Sequence, residues 1–147
     1  MRAVLQRVKN AKVSVDGEIC GEIDEGVFVL LGICKTDDKD VAEKLARKMS
    51  RLRIFPDKTD KMNLSVLDKK FSILVVSQFT LIADTEKGNR PSFTKAMPAE
   101  KAKDLYEYFC LFLKEMGLNV QTGRFGAHMD ILADLDGPVT IIINSTD

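Results

Sequence analysis

Tryptophan is absent from the chain, histidine occurs once, at His128, and cysteine three times, at Cys20, Cys34 and Cys110. The cysteines are far apart and odd in number, and one imidazole does not complete a metal set with them. Neither a disulfide framework nor a zinc pattern is therefore expected. No metal or other cofactor is expected at all. Unpaired thiols fit a reducing compartment, so the cytoplasm is the expected location. An excess of either charge is missing as well: 22 Lys and Arg offset 22 Asp and Glu. A polyanionic partner would have to meet a local basic patch rather than a global field. No apolar run is long enough to span a bilayer, and the opening Met1–Val8 is broken by Arg2 and Arg7, unlike the apolar core of a signal peptide. The phosphate-cradling patterns G-x-x-x-x-G-K-[ST] and G-x-G-x-x-G are also lacking. A Ser-His-Asp or Cys-His site would have to use His128. That residue lies in a strand-like region with no nucleophile near it in sequence, and is read as structural or exposed.

What is present suits one domain over residues 1–147, large enough to bury a real core. Val4, Val8, Val13 and Val15 punctuate a loosely alternating strand from Met1 to Val15. Asp16-Gly17 then signals a tight hairpin, since a type I′ turn needs positive φ at both positions, and Glu18 to Ile23 is the return strand. Val27 to Cys34 reads as a central strand. Thr36-Asp37-Asp38 opens a helix whose apolar face is Val41, Leu45, Met49 and Leu52, spaced by four, four and three. Its opposite face, with Lys44, Arg47, Lys48 and Arg51, is expected to be solvated. Residues 57–70 read as loop, with an irregular strand at Asn63 to Val66. A second helix starts at Pro98, buries Leu105, Tyr106, Phe109, Leu113 and Met116, and is capped by Gly117. Cys34 and Cys110 are expected in the core. Asn119 to Phe125 is a strand, and Pro138 is placed at the beginning of a last strand, Val139 to Ile143, because proline donates nothing to a ladder.

The most informative stretch is Phe71 to Leu81. Its first half is a β-branched run typical of a strand buried on both faces. Ser77, Gln78 and Thr80 then continue the run with hydrogen-bonding side chains. Buried polar groups cost about 1–3 kcal/mol unless paired, so these either satisfy one another or face a ligand. Ser77 and Thr80 are weak nucleophiles without a base. Backbone N–H groups near Gln78 and Phe79, if unpaired, can hold an oxyanion. The residues alone point to hydrolysis of a reactive ester or to binding without chemistry. The polar loop from Ala83 to Phe93 offers Lys87 and Arg90 to phosphate.

Ser77-Gln-Phe-Thr-Leu81 and Gly137-Pro-Val-Thr140 together resemble the bacterial D-aminoacyl-tRNA deacylase family. The opening Met1-Arg-Ala-Val-Leu-Gln-Arg-Val8, the loop Lys87-Gly-Asn-Arg-Pro-Ser-Phe93 and Gly123-Arg-Phe-Gly-Ala-His-Met129 are similar to that family too. The resemblance covers essentially the whole chain. It implies an α+β fold, a compact barrel-like β-sheet domain with two main flanking helices, acting as a homodimer. It implies hydrolysis of the ester between a D-amino acid and the tRNA 3′ acceptor end, with glycine mischarged on alanine tRNA as a further substrate. Ser77, Gln78, Phe79 and Thr80 would line the pocket for the aminoacyl ester and terminal adenosine, and Phe125 and Met129 would wall the adenine. Gly137 and Pro138, joined by a cis peptide, would reach into the partner subunit and reject L-amino acids sterically. Catalysis would rest on backbone N–H groups of Gln78 and Phe79 with help from an RNA 2′-hydroxyl, or on Thr80 as nucleophile. The readings from other classes are a non-catalytic dimeric nucleic-acid-binding module, using the basic helix face and stacking phenylalanines, and a β-rich scaffold with an internally satisfied strand end.

Overall fold

The computed structural model describes residues 1–145. Its strands are β1 (Arg2–Val15), β2 (Glu18–Ile23), β3 (Gly26–Gly32), β4 (Phe55–Pro56), β5 (Met62–Leu64), β6 (Ser72–Ser77), β7 (Asn119–Thr122) and β8 (Asp130–Asn144), and its α-helices are α1 (Lys39–Ser50), α2 (Val66–Lys69) and α3 (Ala99–Glu115). The Asp16-Gly17 hairpin forms as expected, with φ of 52° and 81°, and β2 begins at Glu18. β1 is long enough to serve three partners. Its first half pairs antiparallel with β3, its second half with β2, and its other edge runs along β8. β3, β6 and β7 continue the sheet in parallel.

The sheet curls into a nearly closed barrel. β2 comes back onto β7 so tightly that a Cβ on Gly21 would lie 2.5 Å from the Thr122 carbonyl oxygen. Glycine is the residue that permits this approach. Inside the curl sits a small cluster of Val8, Val13, Ile23, Phe28, Leu74 and Val76. Outside it lies the larger core, where Leu45 and Met49 of α1 and Leu105, Phe109 and Leu113 of α3 meet Leu5, Val29, Ile73 and Val75. β3 and β6 are buried on both faces, which is why their sequences read as apolar runs rather than alternations. The architecture is thus α+β, a barrel-like sheet with two main helices against it.

Both helices follow their sequence signals. The Asp38 carboxylate caps α1 by accepting the Val41 N–H at 2.9 Å. The basic face of α1 is exposed as expected, yet two cations of the helix also cover rings of α3. Arg47 stands 4.7 Å from the Phe112 ring, and Lys39 4.6 Å from that of Tyr108. None of the helices is long and apolar enough to cross a membrane among the described residues.

Five expectations are corrected. Cys34, expected in the core, is only partly buried, whereas Cys110 is buried as expected. Residues 57–70 hold a two-stranded β4–β5 ribbon and a one-turn α2, not a loop with a strand at Asn63 to Val66. The turn is nucleated by a capping box in which Ser65 accepts from the Asp68 N–H and Asp68 accepts from the Ser65 N–H. The run from Phe71 to Leu81 leaves the sheet after Ser77, and Phe79–Ile82 is a 3₁₀ turn. The strand expected from Asn119 to Phe125 ends at Thr122, and His128 lies in the loop that follows. Pro138 does not begin a strand; it lies inside β8. Gln6 pairs with Thr140 and Val8 with Leu135, so the four residues 136–139 bulge opposite the single residue Arg7. A bulge accommodates proline inside a strand because no ladder bond is asked of it.

Candidate active site at the carboxyl ends of the parallel strands

β3, β6 and β7 run in one direction, and their carboxyl ends open onto a cleft of about 690 Å³. The size suits a small-molecule or nucleoside-sized group. Ser77, Gln78 and Phe79 enter it from the end of β6, while Phe125, His128 and Met129 come from the β7–β8 loop. Residues some fifty positions apart in sequence thereby share one cavity. The first turn of α3 forms another wall, through Pro98, Ala99 and Ala102, and no side chain caps that helix terminus. Its N–H groups and dipole favour negative charge nearby.

Local bonding decides which groups are available. The Gln78 N–H, offered by the sequence as one of two oxyanion donors, is donated to the Leu31 carbonyl at 2.8 Å. The 3₁₀ turn then closes with Leu81 N–H to Gln78 O at 3.2 Å and Ala83 N–H to Thr80 O at 3.1 Å. Phe79 stands at the first position of that turn, where a helical N–H has no intrahelical acceptor. The Gln78 amide donates to the Thr80 hydroxyl. Thr80 is exposed at the rim and does not line the cleft. The polar strand end is therefore partly satisfied within itself and partly presented to the cavity.

The apolar walls are held by packing. The Phe79 ring is 58% exposed and braced edge-on by Phe93 at 5.0 Å. Phe125 leans on Tyr106 at 5.6 Å. Tyr106 donates its hydroxyl to Val75 O at 2.7 Å, and burial pushes its pKa well above the ordinary tyrosine value. Neighbouring Cys110 is pushed up to about 12, again chiefly by burial, so this thiol is inert near neutrality. Met129 lies directly over Gly123, whose Cβ would stand 2.7 Å from its sulfur. The loop ahead of α3 is tied by Lys95 to Asp84 at 2.8 Å. Their hydrogen bond holds the Asp84 carboxyl below its usual range and raises the lysine.

Gly137 and Pro138 are exposed, joined by a cis peptide, and line no part of the cleft of their own chain. Gly137 has φ of 127°, and a Cβ there would stand 2.8 Å from the Val139 nitrogen, so only glycine fits. Beneath the bulge lies Arg7, which sequence reasoning passed over. Its Nη1 donates to Ile54 O at 2.7 Å, and its Nε stands 2.7 Å from Asp136 Oδ2, an ion pair without hydrogen-bond alignment. The burial pattern of β1 marks the spot: buried positions run 3, 5, then 8, then 11, 13 and 15, and the phase slips around Arg7.

His128 is the second residue that sequence reasoning did not place in the site. Among the described residues no hydrogen-bond or ion-pair partner orients it, and a general base needs a positioned geometry. His128→Ala is expected to keep kcat for ester hydrolysis within about threefold, well short of the roughly hundredfold that loss of a general base costs. Steady-state kinetics would check this, and a drop of two decades would make His128 catalytic.

A family model described as D-Tyr-tRNA(Tyr) deacylase matches residues 4–144. The chain is 54% identical over 147 residues to the D-aminoacyl-tRNA deacylase of Aquifex aeolicus (strain VF5), covering 100% of this chain and 99% of that protein. It is 52% identical over 145 residues to that of Brevibacillus brevis (strain 47 / JCM 6285 / NBRC 100599), covering 99% and 100%. A solved structure titled c-Myc DNA Unwinding Element Binding Protein superposes with a TM-score of 0.92 at 43% identity, over 98% of each chain. Another, titled as a probable eukaryotic D-amino acid tRNA deacylase, superposes at 0.86 over 97% of each; at 16% identity it speaks for the fold alone. Sequence identity above half across the entire length, with a matched family model from residue 4 to residue 144, makes this chain a member of the D-aminoacyl-tRNA deacylase family of hydrolases.

Proposed function

We propose that the chain edits aminoacyl-tRNA by hydrolysing the ester of D-aminoacyl-tRNA, and of glycine mischarged on alanine tRNA, at the 3′ acceptor end. The observation that carries this reading is the single cleft joining Ser77, Gln78 and Phe79 to Phe125 and Met129. Phe125 and Met129 supply an apolar wall for the terminal adenine, and the end of β6 faces the aminoacyl ester. Water attacks the ester carbonyl carbon while the 2′-hydroxyl of the terminal ribose accepts and relays its proton. The developing oxyanion is held by the Phe79 N–H, since the Gln78 N–H is engaged by Leu31. The carbon–oxygen ester bond breaks, the ribose 3′-oxygen leaves with a proton, and free amino acid and tRNA result. Thr80 positions Gln78 instead of attacking.

Chirality selection falls to Gly137 and Pro138 of a second copy. The exposure of Gly137 and Pro138 and their absence from the lining of their own cleft support a role in trans. So does the apolar edge of β8, where Leu132 and Ile142 are each 62% exposed. A homodimer joined along this edge, working in the reducing cytoplasm that three free thiols suit, completes the reading.

The test is deacylation of D-Tyr-tRNA and L-Tyr-tRNA, with glycyl-tRNA(Ala) as a third substrate. Turnover of the D and glycyl esters, with the L ester slower by about a thousandfold or more (~4 kcal/mol of discrimination), supports the editing enzyme. Binding without turnover would instead support the nucleic-acid-binding module.

A further inference from the structure

Phe125 belongs to two cavities. Besides the site described above, it lines a second cleft of about 440 Å³ between the outer flank of α3 and the end of β7. The floor of this neighbour is aromatic and apolar: Tyr106 and Phe125 lean together at 5.6 Å, and Leu111 is 53% exposed. Its rim carries Lys103, Lys114 and Arg124 against a single carboxylate, Glu107. Lys103 has Glu107 at 3.8 Å, whereas Lys114 and Arg124 have no hydrogen-bond or ion-pair partner among the described residues. In a chain of zero net charge, three cations around an apolar floor form a local anion-attracting patch.

We propose that this second cleft seats the nucleotide immediately 5′ of the substrate's terminal adenosine, its phosphodiester against Lys103, Lys114 and Arg124 and its base over Phe125 and Leu111. The inference rests on the reading that the first cleft holds that adenosine. Phe125 lines both clefts, so the two seats adjoin, and stacking on an aromatic floor with a basic rim is how single strands are held without reading their sequence. The loop with Lys87 and Arg90 is the competing place for phosphate. Its aromatic neighbours, Phe93 and Phe79, already wall the first cleft, and the adjoining Lys95 is engaged by Asp84.

The decisive comparison uses the full-length protein with Lys103→Gln, Lys114→Gln and Arg124→Gln combined, on two substrates. With D-Tyr-tRNA, KM should rise about tenfold or more with kcat nearly unchanged, and the slope of log(kcat/KM) against log salt should flatten by roughly 2, at about 0.7 per cation on a single strand. With D-tyrosyl-adenosine, which has no phosphate, variant and parent should be equally fast, and this doubles as the check on folding. Should the combined variant not fold, the single changes Lys114→Gln and Arg124→Gln are each expected to flatten the slope by about 0.7. Unchanged KM and slope on D-Tyr-tRNA would overturn the inference. So would an equal loss on D-tyrosyl-adenosine, or a flattened slope in Lys87→Gln/Arg90→Gln instead. In each of those cases the parent protein still cleaves D-Tyr-tRNA; if it does not, the editing reading itself fails.

Discussion

Removing the 2′-hydroxyl from the terminal adenosine of D-Tyr-tRNA should lower single-turnover hydrolysis by about 10² to 10⁴, the range that a positioned proton-transfer group supplies. The expectation follows from what the cleft lacks. Its walls are largely apolar, its hydroxyls have no partnered base, and a main-chain N–H at the start of the 3₁₀ turn, such as that of Phe79, could stabilise charge but would move no proton. The proton relay then has to come with the substrate. In the same assay Thr80→Ala should cost less than about tenfold, since it removes one exposed hydrogen bond worth about 1 kcal/mol. A nucleophilic threonine would reverse the pattern, with the alanine variant dead and the deoxy substrate still cleaved. That reversal would end the RNA-assisted mechanism while leaving the family assignment untouched.

The second large effect is on stability. Asp37→Ala should destabilise the fold by about 3–5 kcal/mol, because it strips the counter-charge from a buried ammonium. The α-ammonium of Met1 is bound by Asp37 and by Ser145 Oγ, and the side chains of Met1 and Asp37 are 0% and 4% exposed. The other oxygen of Asp37 accepts the Cys34 N–H. One carboxylate therefore joins the start of β1, the turn between β3 and α1, and the last described residue. Asp37→Asn keeps an acceptor for Cys34 but not the charge, and should fall between parent and alanine. Urea unfolding at one protein concentration measures both. A loss under about 1 kcal/mol for the alanine variant would mean that water reaches the ammonium and the pair is effectively on the surface.

Much of the scaffold was legible from local chemistry. The Asp16-Gly17 hairpin needs only the positive φ that those residues tolerate. α1 and α3 follow from a cap and an apolar stripe, and β3 and β6 from β-branched runs that suit burial on two faces. Even the missed α2 was written locally, in the Ser65–Asp68 box; a single turn is too short for periodicity to show. The site was legible only in its parts. Ser77, Gln78 and Phe79 were marked by polarity at the end of an apolar run, but nothing local says that the run bends into a 3₁₀ turn after Ser77. Nor does any local pattern show that Leu31 takes up the Gln78 N–H, or that Pro138 sits inside a strand instead of at its start.

By itself, the amino-acid order determined the Asp16-Gly17 hairpin, the two main helices, the buried strands β3 and β6 and the family, because each depends on the conformational preference and spacing of residues close together in the chain. The tertiary structure alone decided that the Gln78 N–H at the end of β6 is taken up by Leu31, that Phe125, His128 and Met129 share one cavity with Ser77, and that the bulge of residues 136–139 stands opposite Arg7 and lines no part of its own cleft. Those outcomes are set by the pairing register of strands distant in sequence and by the curl that brings β2 against β7. Register is a property of two segments at once, and neither segment carries it alone.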